Sequence, residues 1–89
     1  MIFRFLILIS LATDLLLASP SLKIQGSTTV NPVIVEASEV FRKKGWKVVV
    51  DTQGGSSGGI SALGDGQVTI AMSSRPLNDS DKQKYPKVN

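Results

Sequence analysis

Past residue 21 the apolar positions alternate between two periods. In "LKIQG" (22–26) Leu22 and Ile24 alternate with polar neighbours, the pattern of a short strand. The period then lengthens: Val33, Ile34, Ala37, Val40 and Phe41 recur at helical spacing and predict one apolar stripe. Asn31 is a good N-cap, and Pro32 suits the first helical position, where a missing N–H costs nothing. Lys43 and Lys44 fall where the helix dipole favours cations. Glu39 and Lys43 stand one turn apart as a weak pair, and Gly45 supplies a left-handed stop. "KVVVDT" (47–52) is a continuous β-branched run and predicts a strand buried on both faces. Ile60, Ala62 and Leu63 predict a shorter helix closed by Gly64, and "VTIAM" (68–72) a third strand. Asn78 or Ser80 caps a last helix through "DSDKQKY", ended by Pro86. The order β-α-β-α-β-α with short connections predicts an α/β fold, a largely parallel sheet with flanking helices.

The segment before residue 22 follows neither period. Arg4 precedes the apolar run "FLILISLA", and "DLLLASPS" ends in small residues, the layout of a secretory signal peptide over residues 1–21. Residues 5–18 are short for a membrane span and Asp14 interrupts them, so a retained anchor is the weaker reading. Removing 1–21 takes away one Arg and one Asp and leaves the net charge at +3. No stable membrane span remains. The absence of Cys excludes disulfide staples and a lipid-modified cysteine, so a soluble periplasmic or secreted product is expected. The mild basicity is spread out and lacks the basic stripe with stacking aromatics that nucleic acid requires.

In a parallel sheet every strand-to-helix connection emerges at the carboxyl edge, where ligands of open α/β folds bind. The three connections are "GSTTVNP", "TQGGSSGG" and "MSSRPLND". All are rich in hydroxyls or glycines, and Arg75 is their only cation. Unpaired N–H groups at helix starts add partial positive charge, so a tetrahedral oxyanion is the natural guest. Serine and threonine at helix starts often serve only as caps, a lone arginine is often a surface charge, and a Gly/Ser tract in isolation reads as a linker. Here the tract joins a strand directly to an apolar helix. With no His and no Cys, Ser–His and Cys–His catalysis are impossible and zinc loses its usual ligands. "GGSSGG" lacks the Gly-Lys-Ser/Thr ending of a nucleotide phosphate loop and also fails the G-x-G-x-x-G pattern. No enzyme and no cofactor is expected.

Together "IQGSTTVNP", "TQGGSSGGI" and "IAMSSRPL", in this order and in an exported chain, resemble the periplasmic phosphate-binding protein of the phosphate ABC transporter from about Leu22 to Tyr85. The resemblance implies a type 2 periplasmic-binding-protein fold, closing on inorganic phosphate between two lobes and delivering it to a membrane permease. Residues 22–89 match part of the first lobe. The resemblance places a hydroxyl and an amide of the first loop, at Thr28 and Thr29, on the anion. It does the same for Ser56 in the glycine-rich loop, with the amides of Ser57 and Gly58 beside it, and brings Ser74 and Arg75 from the third. Better-known members carry an Asp where this chain has Ser74, accepting the proton of hydrogen phosphate. A serine can donate, so discrimination against sulfate is weakened. The family's chains are several times longer, so a truncated reading frame or one piece of a split gene is expected, with weak or absent phosphate binding. The alternatives are an exported module for another oxyanion, sulfate or molybdate, and a non-functional truncated product.

Overall fold

Three strands and three helices alternate: β1 (Ser21–Gly26), α1 (Asn31–Lys43), β2 (Lys47–Asp51), α2 (Gly55–Gly64), β3 (Ile70–Met72) and α3 (Asp79–Lys84). The computed structural model describes residues 20–88, so the leader expected over 1–21 lies almost wholly outside the described residues. The strands form one parallel sheet in the order β2-β1-β3. β1 is central, paired with β2 from Ser21↔Lys47 to Gln25↔Asp51 and with β3 from Ile24↔Ile70 to Gly26↔Met72. The first crossover runs from the centre to one edge and the second from that edge past the centre to the other, and right-handed connections in opposite directions put α1 and α2 on opposite faces. The expected α/β class and parallel sheet are therefore what the chain forms.

Ile24, Val48 and Met72, one from each strand, make the core on one face, with Leu22, Val30, Ile34, Trp46 and Val50 packed around them. This corrects the expected stripe of α1. The line facing the sheet runs Val30–Ile34–Ser38 at four-residue steps, and Ser38 is buried with its hydroxyl donating to the Val35 carbonyl at 2.7 Å. Val33 and Val40, expected inside, are 68% and 52% exposed. β2 is an edge strand, so its β-branched run is not buried on both faces: Val48 is buried while Val49 faces out. The helix is tied to this edge by Arg42 Nη2, which donates to the Val48 carbonyl at 2.9 Å, and by an edge-to-face contact of Phe41 on Trp46. The Glu39–Lys43 pair does not form; among the described residues Arg75–Asp81 is the one ion pair. The third strand is shorter than "VTIAM". Thr69 spends its N–H on the Lys23 carbonyl and its hydroxyl on the Lys23 N–H, before the ladder with β1 begins. Among the described residues no helix is long and apolar enough to cross a membrane.

Candidate anion-binding site

The first loop starts at the end of β1. Ser27, 2% exposed, is held by its N–H to the Met72 carbonyl at 3.0 Å, so the loops after β1 and β3 emerge side by side. Its Oγ accepts the N–H groups of Thr29 and Val30 at 3.1 and 3.2 Å, and its carbonyl accepts the Asn31 N–H at 3.1 Å. That is the work of an N-cap: a side-chain oxygen on donors two and three residues ahead, while the carbonyl opens the helical ladder. Ser27 thus caps the turn that leads into α1, while Asn31, expected as the cap, is the first residue of the helix and makes no cap bond. The signal was present in the sequence as a serine three residues before Val30. Thr28 and Thr29 are exposed beside this buried cap, but the Thr29 amide is already bonded to Ser27.

The glycine-rich tract is not a loop for most of its length. α2 begins at Gly55, inside the tract, behind an N-cap Gly54 in the left-handed region at φ 77°. Glycine is needed there because a side chain at positive φ would be strained. The Gly58 N–H donates to the Gly54 carbonyl at 2.9 Å as the first rung of the helix. The anion-facing amide expected at Gly58 is therefore spent, and of the first-turn amides from Gly55 to Gly58 those of Ser56 and Ser57 are open. Gly59 has a packing role instead. A Cβ there would stand 2.4 Å from the Gln25 carbonyl oxygen and 2.7 Å from Gly26 Cα, so α2 rests on the end of β1 backbone to backbone. Gln25 fixes the approach from the other side, its Nε2 donating to the Gln53 carbonyl at 3.0 Å.

The third loop closes onto this turn. The Ser74 N–H donates to Ser56 Oγ at 3.1 Å, and the two hydroxyls lie 3.3 Å apart. Arg75 reaches back to the neighbouring serine, Nη2 donating to Ser57 Oγ at 3.1 Å, while Nη1 forms a 2.7 Å ion pair with Asp81 Oδ2. Ser73 clamps the bend, its Oγ accepting the Arg75 N–H and donating to the Arg75 carbonyl. Asp81 belongs to the capping box of α3: Asn78 accepts the Asp81 N–H at 2.8 Å and donates its own N–H to Asp81 Oδ2 at 3.0 Å. The hydrogen bond from Arg75, then that from the Asn78 N–H, holds the Asp81 carboxyl below the usual carboxylate range, and Asp81 in turn holds Arg75 more firmly protonated. Among the described residues no cluster of side chains is fit to hold a metal ion.

Residues 17–89 match the family model of the PBP superfamily domain. The chain belongs to the PBP superfamily. Two solved structures share its fold. One is the phosphate-binding protein of a phosphate ABC transporter from Streptococcus pneumoniae TIGR4, with TM-score 0.66 and 28% identity over 74% of this chain. The other is PstS from Borrelia burgdorferi, with TM-score 0.63 and 38% identity over 72% of this chain. The PBP-superfamily chain spans about a quarter of each, 26% in both comparisons. No curated protein sequence matches it at a significant level.

Of the residues expected to hold an anion in this PBP-superfamily chain, Ser56 and Ser74 come together, and so do Ser57 and Arg75. Thr28 and Thr29 lie at the same sheet edge, but among the described residues no hydrogen bond links them to the other two loops. Three residues that the sequence left in minor roles shape the site: Ser27 by capping, Gln25 by pinning the tract, and Asp81 by holding Arg75. A cleft of about 530 Å³ opens at the opposite end of α2, lined by Leu63, Gly64, Tyr85 and Pro86 among others, away from these hydroxyls.

Proposed function

We propose that this chain is the phosphate-contacting part of a solute-binding protein of an ABC transporter, a binding protein and not an enzyme. The observation that carries the reading is the junction of Ser56 with Ser74, two strand-to-helix loops closed by a 3.1 Å hydrogen bond, in a fold shared with the phosphate-binding protein of a phosphate ABC transporter and with PstS. Phosphate rests on the open amides of Ser56 and Ser57 and on the hydroxyls of Ser56, Ser57 and Ser74, with Thr28 and Thr29 from the first loop and Arg75 at the margin. The α2 dipole adds partial positive charge at the same point. The shelf of loops is one wall, solvated on its other side, so binding is weak until further chain covers it. Export to a periplasmic or extracellular space and delivery to a membrane permease belong to the same proposal.

Titration of the isotopically labelled chain with inorganic phosphate, followed by amide NMR at constant ionic strength, tests the reading. Saturable shifts centred on Ser56, Ser57 and Ser74, lost in Ser56→Ala, are expected. Shifts that never saturate, or that survive Ser56→Ala, refute it. Ser74 is the observation that favours a second reading, a wider oxyanion specificity that includes sulfate. A hydroxyl donates to an unprotonated oxygen as readily as it accepts from a protonated one. Sulfate that displaces phosphate at similar concentration supports that reading, and sulfate without effect removes it.

A further inference from the structure

We propose that Asp81 is a positioning residue for anion recognition, holding the Arg75 guanidinium against Ser57 with donors left over for the ligand. The inference rests on the reading that these loops bind phosphate and adds to it a residue that makes no contact with the ion.

The geometry gives Arg75 little freedom. Nη1 donates to Asp81 Oδ2 at 2.7 Å and to the Pro76 carbonyl at 3.0 Å, and Nη2 donates to Ser57 Oγ at 3.1 Å. A guanidinium carries five N–H donors in a rigid fork. Three are engaged, and the Nε–H and one Nη2–H have no partner among the described residues. The arginine is thus aimed and still able to donate. By accepting from Arg75, the Ser57 oxygen also leaves its own hydrogen to point elsewhere, toward an incoming oxyanion. The anchor is fixed in its turn. Asp81 is only 15% exposed at its side chain, against 32% for Arg75, and the same Oδ2 accepts the Asn78 N–H at 3.0 Å.

A capping box requires only that Asp81 reach the Asn78 N–H; the bond to Arg75 is additional. A flexible arginine loses much rotamer freedom on binding an ion, and one already held in place loses less. Two roles for Asp81 can therefore be told apart by the sign of its effect. If Asp81 merely neutralises Arg75, replacing it with Asn removes a negative charge from the mouth and strengthens anion binding. If it positions Arg75, the same replacement weakens binding although an anion-repelling charge has gone. Asparagine keeps an oxygen for the Asn78 N–H, so α3 stays capped.

The experiment is the phosphate titration on the full chain, read at the Ser56 and Ser57 amides, with the Arg75 side-chain signals recorded alongside. Asp81→Asn is expected to weaken apparent phosphate affinity about three- to fivefold, the range of a partly exposed pair. It is also expected to merge the Arg75 guanidinium signals that are distinct in the wild type. Asp81→Glu restores both, since glutamate serves this capping-box position. In an Arg75→Ala background Asp81→Asn changes nothing further, because its effect passes through Arg75. Affinity unchanged or raised in Asp81→Asn overturns the inference alone, as does a loss that adds to that of Arg75→Ala. A wild-type chain without a saturable phosphate response overturns both the inference and the reading beneath it. If Asp81→Asn fails to fold, Arg75→Lys decides, since lysine keeps the charge but not the fork: affinity equal to wild type overturns the inference.

Discussion

Gly59→Ala tests the packing that brings the loops together. The added Cβ would lie 2.4 Å from the Gln25 carbonyl oxygen, 2.7 Å from Gly26 Cα and 3.0 Å from the Gln25 carbonyl carbon. All three are backbone atoms of the central strand, so no side chain can turn aside. To restore ordinary contact α2 must withdraw by about 1 Å, in an interior packed as densely as an organic crystal. Overpacking of this kind costs about 1–3 kcal/mol, and a clash with backbone falls at the upper end. Against it, alanine in a helix interior is favoured over glycine by about 1 kcal/mol. The net expectation is a loss of about 1–2 kcal/mol, or about 5–15 °C in Tm for a domain of this size. Urea unfolding followed by the fluorescence of Trp46, the only tryptophan, measures it. The Ser74 amide, bonded to Ser56 Oγ at 3.1 Å, should lose protection from hydrogen exchange as the loops part. A variant as stable as the wild type, or more stable, with Ser74 still protected, would show that α2 does not sit on β1 in this way.

Asn78→Ala removes the acceptor for the Asp81 N–H and is expected to cost about 1 kcal/mol, seen first as faster exchange of the α3 amides. Acid sensitivity follows from Asp81, whose folded-state pKa is depressed by the Arg75 bond and then by the Asn78 N–H. Its contribution is complete above the ordinary carboxylate pKa and is lost as pH falls through the lower folded-state value. Urea midpoints measured across the acid range should therefore decline less steeply in Asp81→Asn than in the wild type. Val33→Lys and Val40→Lys lie on the uncovered side of α1 and should each change stability by no more than about 0.5 kcal/mol in the same urea assay. A cost of core size would mean that this side of the helix is covered in solution.

The element order and the parallel sheet were legible because period and turn chemistry agree at each boundary: Leu22 and Ile24 alternate, Gly45 stops α1, and Asn78 caps α3. What failed was assigning a face from hydrophobicity alone. Val33 and Ile34 are equally apolar, yet the sheet meets the line through Val30, Ile34 and Ser38, set by the turn that Ser27 caps ahead of the helix. That start was hidden because "STTVNP" offers several capping residues. The hydroxyl of Ser27 wins because the same residue is anchored by its N–H to Met72, a contact between strands forty-odd residues apart in sequence. That the loops after the strands share one sheet edge was legible from topology. Their bonding was not: the partnership of Arg75 with Asp81 and Ser57 depends on how "RPLND" bends, and no local propensity encodes that.

The glycines explain how a site of small polar side chains can hold its shape. Serine and threonine are too short to brace one loop against another over any distance, so the backbones must already be close. Gly59 lets α2 lie on the end of β1, and the contact of Ser27 with Met72 brings the neighbouring loop alongside. Only then can Ser56 reach Ser74 and Arg75 reach Ser57. Where the frame is made of backbone, a rim residue that braces its neighbour through its amide can be exchanged without moving it. The serine at position 74 is such a rim residue, bonded to its neighbour through its amide, which any residue except proline would provide. On the proposed reading, its side chain can thus change the protonation state of the ion accepted while the cradle stays in place. Gly59 has no such freedom, because its role is to have no side chain at all.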